Sequence, residues 1–188
     1  MEQPKLPQSP RATLALDAAL EVLGEHGVHG LSHARIDKVA GLPAGSTSNY
    51  FRTRQSLLEA AAAHLALRER EDFAAPALLL DRVSAENAFV AMLESQSGAF
   101  RSRTLARYAL FIDLADKPDL AQPLLESRKG FEQWTTATLA ALGSSDPLSA
   151  TAFLMAALDG ALLHRICVDS TLEMRPIVAR ALDSCLGK

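Results

Sequence analysis

The sequence predicts an all-α protein of about nine helices. Apolar residues recur at helical spacing, while sustained period-two alternation and Asn-Gly hairpin turns are absent. Apolar residues make up 48% of the 188, enough for a substantial core and evidence against disorder. Nine prolines and ten glycines punctuate the chain without dominating it.

The elements follow in order. Residues 1–10, with Pro4, Pro7 and Pro10, read as a disordered N-terminal arm, and no N-terminal apolar run resembles a signal peptide. Leu16, Ala19, Leu20 and Leu23 lie at i, i+3, i+4 and i+7, one face of a helix, with Asp17, Glu21 and Glu25 mostly off it. Gly27 is a natural stop. Ser32 is a plausible N-cap for a short helix from about His33 to Ala40 that buries Ile36, Val39 and Ala40. Gly41 breaks that helix and Leu42 offers an apolar plug. Pro43 fits the first turn of a second short helix running to about Tyr50. Thr53 can cap the long helix that follows, which carries Leu57, Leu58, Ala61 and Leu65.

The stretch Ala74–Ser84, containing Pro76, marks a break between modules. Five helices are expected beyond it: about Ala85–Gly98, Ser102–Ala115, Asp119–Leu142, Pro147–Cys167 and Leu172–Leu186. By function we divide the chain into the arm (1–10), a helix-turn-helix segment (11–55) and the remainder (56–188). No apolar stretch is read as long enough to span a bilayer. Cys167 and Cys185, without metal-ligand or CxxC spacing, read as reduced thiols of a cytosolic protein.

Net charge is −3, which alone argues against a nucleic-acid binder. The distribution argues otherwise. Ser32–Arg54 holds Arg35, Lys38, Arg52 and Arg54 against Asp37 alone, a local net of +3. Phosphate contact requires a local basic surface rather than a basic protein. Within this window lies AGLPAGSTSNYFRTR, Ala40–Arg54. A helix-turn-helix lays its second helix in the major groove, and the leading end of that helix must be thin. Pro43, Ala44, Gly45, Ser46, Thr47 and Ser48 are all small. The hydroxyls and Asn49 can bond base edges or phosphates, and a Thr methyl can meet a thymine methyl. Tyr50 can give its hydroxyl to a phosphate, Phe51 reads as the plug that locks the helix down, and Arg52 and Arg54 as phosphate clamps. With Arg35, these are the candidate DNA contacts.

Residues 11–65 resemble the N-terminal DNA-binding domain of the TetR family of transcriptional regulators. The resemblance rests on LDAALEVLGEHG (Leu16–Gly27), LSHARIDKVAGL (Leu31–Leu42), PAGSTSNYF (Pro43–Phe51) and RTRQSLLEA (Arg52–Ala60), in that order. Where Ala44 stands the family often has Lys, where Ser48 stands an aromatic, and where Asn49 stands His. These departures remove one phosphate charge and one large contact. The resemblance implies a C-terminal helical domain for ligand binding and dimerisation, with a four-helix interface built from two helices per chain.

The remaining residues fit that expectation. Phe89, Met92, Tyr108, Phe111, Trp134 and Met155 are candidate cavity residues, with Gln96 and Arg107 among the polar groups that could orient a ligand; Gln133 and His164 are further polar candidates. The last two helices are apolar around much of their circumference, from Ala150, Ala152, Leu154, Ala156, Ala157, Leu158, Ala161 and Leu162 to Ile177, Val178, Ala181 and Leu182, which suggests burial on two sides and a homodimer. His26, His29 and His33 straddle two glycines and read as a solvated turn rather than a metal site. No catalytic set or cofactor motif is recognisable, and Asp159 and His164 are five apart on one helix.

The expectation is therefore a cytoplasmic homodimer that reads a double-stranded operator and answers to a small-molecule effector. It is a repressor by the resemblance, with no cofactor, no metal, no enzymatic activity and no membrane partner. The alternatives are an activator, or a protein-interaction module whose helix-turn-helix does not bind DNA.

Overall fold

A computed structural model describes residues 9–72 and 78–187. Among these residues the chain forms nine α-helices and no strand: α1 (Pro10–Gly30), α2 (His33–Val39), α3 (Ser46–Tyr50), α4 (Arg54–Asp72), α5 (Arg82–Ser97), α6 (Arg101–Asp113), α7 (Pro118–Ala141), α8 (Pro147–Cys167) and α9 (Met174–Leu186). The all-α class expected from periodicity is the one adopted.

Helix α1 starts at Pro10, whose missing N–H is no loss in a first turn. Ser9 and Pro10 are thus ordered parts of the expected arm, and residues 1–8 lie outside the described residues. Leu16, Ala19, Leu20 and Leu23 are all buried, as their spacing requires. The expected stop at Gly27 is a kink instead: φ 64° and ψ −175° interrupt the helical path, and a short turn through Gly30 follows.

Ser32 caps α2 as expected, its hydroxyl accepting from the Arg35 N–H at 3.3 Å. Val39, expected in the core, is exposed. The buried residues of α2 are Ile36 and Asp37. At roughly 100° per residue, that face is centred well away from Val39. Helix α3 begins at Ser46 rather than Pro43, because Gly45 takes a left-handed φ of 86° and ends the preceding turn. Thr53 caps α4: its hydroxyl accepts from the Ser56 N–H at 3.0 Å.

The chain forms two compact units. The first joins residues 9–72 to 102–127 and the second joins 78–101 to 128–187, so α7 contributes to both. One apolar core runs through the first unit. Leu16, Leu20 and Leu23 of α1, Ile36 of α2, Phe51, and Leu57, Ala61 and Leu65 of α4 meet Ala106 and Leu110 of α6 and Leu124 of α7. Two ion pairs tie α4 to α6, Glu69 with Arg107 at 2.9 Å and Asp72 with Arg103 at 2.5 Å. Buried His64 of α4 bonds Asp17 of α1 at 2.7 Å.

In the second unit, buried Leu154, Leu158 and Leu162 of α8 and Val178, Ala181 and Leu182 of α9 form the core with Phe89 and Leu93 of α5. Arg128 of α7 pairs with Asp159 of α8 at 2.7 Å, and Arg82 of α5 with Asp183 of α9 at 2.7 Å. Cys185 is buried here and Cys167 exposed, both as free thiols. The sequence reading of no bilayer-length apolar segment needs correction. Pro147–Cys167 spans 21 residues and holds an 18-residue window of mean hydropathy 1.3, so it is long and apolar enough to cross a membrane. Asp159 breaks the uncharged run, so the segment's length emerges only from the average over the helix. One face of α8 is nevertheless built into the bundle core, and Asp159 anchors it to α7.

At Gly24, α1 meets the first turn of α6 with no space between. A methyl group there would overlap the carbonyl oxygen and hydroxyl of Ser102. Gly→Ala inside a helix ordinarily stabilises by up to about 1 kcal/mol. Here Gly24→Ala is expected to destabilise, by about 1–3 kcal/mol from overpacking. Denaturant unfolding reads the sign directly, and a gain in stability would contradict this packing of α6 on α1.

Candidate nucleic-acid interface

The turn and α3 are organised by one side chain. Asp37, 3% exposed, points from α2 at the leading end of α3. Its carboxylate accepts from the Gly45 N–H at 2.7 Å, the Thr47 N–H at 2.8 Å and the Thr47 hydroxyl at 2.5 Å. A helix of five residues has too few internal hydrogen bonds to persist alone, so this external cap matters more than it would in a long helix. At the other end of α3, His33 Nε2 lies 2.5 Å from the Phe51 carbonyl oxygen, and Phe51 is buried in the first unit's core. Burial pushes the Asp37 carboxyl up. The Thr47 hydroxyl and N–H, the Gly45 N–H and the field of His33 together outweigh it and hold the group below its ordinary value.

The candidate DNA contacts divide by environment. Pro43, Ala44, Gly45, Asn49 and Arg52 are exposed, and Ser46, Ser48 and Tyr50 half-buried. Thr47 is a correction: it is fully buried, and its hydroxyl is committed to Asp37, so it faces the protein and not a groove. The Ser46 hydroxyl donates to the Pro43 carbonyl at 2.6 Å and the Ser48 hydroxyl to the Gly45 carbonyl at 2.8 Å. The Tyr50 hydroxyl lies 3.3 Å from that of Ser9. Two arginines close the C-terminal end of α1: Arg54 donates to the Leu31 and Val28 carbonyls, each at 2.5 Å, and Arg35 to the Gly30 carbonyl at 2.8 Å. Sequence reasoning missed Asp37, which entered only as a negative charge, and Ser9, which it placed in the arm. The glycine before Ser46 was the available signal, since it has no side-chain acceptor for the first N–H groups of the helix.

The candidate effector residues fall in both units. In the first, Arg107 is bonded to Glu69 and lies over the Tyr108 ring at 5.1 Å, and Phe111 packs against the apolar core. In the second, Phe89 is edge-on to Trp134 with ring centroids 5.8 Å apart. Phe131, at i, i+3 spacing from Trp134, stacks on it at 5.8 Å. Met155 is buried, and Met92 and Gln96 are half-buried. Gln133 and His164 are exposed, so neither points into this unit's core. His26 and His29 are exposed while His33 turns to Phe51, so the three histidines do not converge.

Because the Asp37 carboxyl is held below its ordinary value, its stabilisation is complete above the ordinary carboxylate range and is lost as pH falls through the lowered folded value. Asp37→Ala is expected to destabilise by about 1–3 kcal/mol and to flatten that acid limb. Thermal unfolding of parent and variant from neutral to acidic pH checks both; an unchanged midpoint at neutral pH would refute the role.

Comparison with known proteins accords with this geometry. Residues 15–61 match the tetR family of bacterial regulatory proteins, and residues 80–188 match the tetracyclin repressor-like C-terminal domain. The HTH-type transcriptional regulator BetI of Escherichia coli is 43% identical over 53 residues, 28% of this chain and 27% of BetI, so the match spans about a quarter of that relative's length. A member of the TetR family from Streptomyces coelicolor A3 superposes with a TM-score of 0.71 at 25% identity, over 95% of this chain and 99% of its own. The multidrug binding protein EbrR complexed with ethidium does so with a TM-score of 0.67 at 26% identity, over 94% and 98%. With both family domains matched in order and the whole fold shared, the chain belongs to the TetR family of transcriptional regulators.

Proposed function

We propose that this chain is a ligand-responsive repressor that binds a pseudo-palindromic operator as a homodimer in the cytoplasm. The observation that carries the reading is the thin, exposed leading edge at Pro43, Ala44 and Gly45, followed by α3 with its inner face fixed by Asp37. That shape suits entry of α3 into a major groove. Exposed Arg35, Lys38, Arg52 and Arg54 surround it, while the one acidic side chain of the window is buried. DNA contact is assigned to 11–55, and effector binding and dimerisation to 56–188. The folding unit is larger than the DNA-contacting segment, since α6 and the start of α7 share its core.

A dimer would place two α3 helices about one helical turn apart on the duplex. Exposed Ala152, Phe153, Ala156, Gly160 and Leu163 recur every three or four residues along α8 and support that helix as half of the subunit interface. The aromatic set Phe89, Phe131 and Trp134 supports an apolar or aromatic effector, as does the ethidium bound by EbrR. Such an effector would lower operator affinity only by its differential affinity for the two conformations.

The test is selection of bound duplexes from the source genome at about physiological salt, with a Ser46→Arg, Asn49→Ala double variant as control. An inverted repeat enriched by the parent and lost by the variant is expected; no enrichment by a folded dimer would favour a protein-interaction module. Arg52→Ala should reduce the slope of log affinity against log salt by about one. Arg54→Ala should instead lower the unfolding midpoint along with affinity, since its guanidinium holds the end of α1. Phe153→Asp should give a monomer in sedimentation and abolish binding to the repeat; a dimer would exclude α8 from the interface.

A further inference from the structure

The side chains of α3 are unequal in what they can offer a base. Thr47 is buried on Asp37. The Ser46 and Ser48 hydroxyls direct their protons at backbone carbonyls and retain only acceptor capacity outward. The Tyr50 hydroxyl is paired with Ser9. Pro43, Ala44 and Gly45 have no polar side-chain atoms. Asn49 alone of these joins an exposed position to a carboxamide side chain, and it lies two residues and so roughly 200° around the helix from inward-facing Thr47. Among the described residues its side-chain amide makes no hydrogen bond, so an outward donor and an outward acceptor are both available.

We infer that Asn49 is the residue of α3 that reads a base by a paired donor and acceptor, and that the base it takes is adenine. On the major-groove edge, adenine presents N6 as donor beside N7 as acceptor, the complement of a carboxamide. Guanine presents two acceptors there, cytosine one donor, and thymine one acceptor with a methyl group, so each leaves half of the amide unmatched. The assignment rests on the DNA-binding reading above, and it adds which residue carries base specificity and for which base.

The test is selection from a random duplex pool with the parent, Asn49→Ala and Asn49→Asp, each first shown to unfold at the parental midpoint, as expected for an exposed position. For the parent, one position per half-site should favour adenine by roughly 5- to 150-fold. Asn49→Ala should bring that position near parity while the rest of the motif persists. Asn49→Asp, which only accepts, should move the preference towards cytosine. A parental motif unchanged in Asn49→Ala, or one whose Asn49-dependent position is not adenine, would overturn the assignment and leave the DNA-binding reading standing. No enriched motif with the parent would overturn both.

Discussion

The carboxylate of Asp37 is the constraint on which the proposed DNA-facing surface depends. Helix α3 has five residues, and the turn before it passes through a left-handed glycine. Neither would keep one geometry unaided. By accepting from both Gly45 and Thr47, Asp37 fixes the turn and the first residues of the helix against α2. The face of α3 opposite Thr47 is thereby turned outward. The same burial that would penalise a lone carboxylate is compensated by three donors, the condition under which a buried charge stabilises rather than disrupts.

The other end of the motif shows a related economy of charge. Arg35 and Arg54 lie in the basic window, yet both guanidiniums reach the carbonyls where α1 ends. Helix C-termini carry partial negative charge and attract cations, so these arginines join α1, α2 and α4 at one point. Their positive charge remains at the surface, but their side chains are no longer free to follow a phosphate. Arg52, between the buried Phe51 and the cap of α4, has no such tether among the described residues.

Long elements were legible in the sequence because their periodicity is sampled over several turns. Leu16, Ala19, Leu20 and Leu23 announced the buried face of α1, and Pro147 and Cys167 bound α8 where turn residues and composition placed them. Turn residues such as Ser32 and Gly41 also marked the short helices, but not which way their faces point. Over five or seven residues, period alone could not show that Thr47 faces inward, that Val39 faces outward, or that Asp37 is buried rather than solvated. The membership of α6 in the first unit was also invisible, since it depends on packing between residues far apart in the chain, as at Gly24 and Ser102. The family resemblance pointed to the class of regulator, whereas the structure shows the burial and hydrogen bonds of individual side chains.

In the proposed complex, Asp37 acts on DNA through α3 and touches no DNA itself. The most direct measurement is operator affinity of Asp37→Asn across a salt series, well below its unfolding midpoint. Removing a negative charge beside a polyanion would by itself strengthen binding. If Asp37 positions α3, affinity falls nonetheless and the salt slope stays at the parental value, because no phosphate contact is lost. Affinity equal to or above the parent's would mean that Asp37 does not position α3.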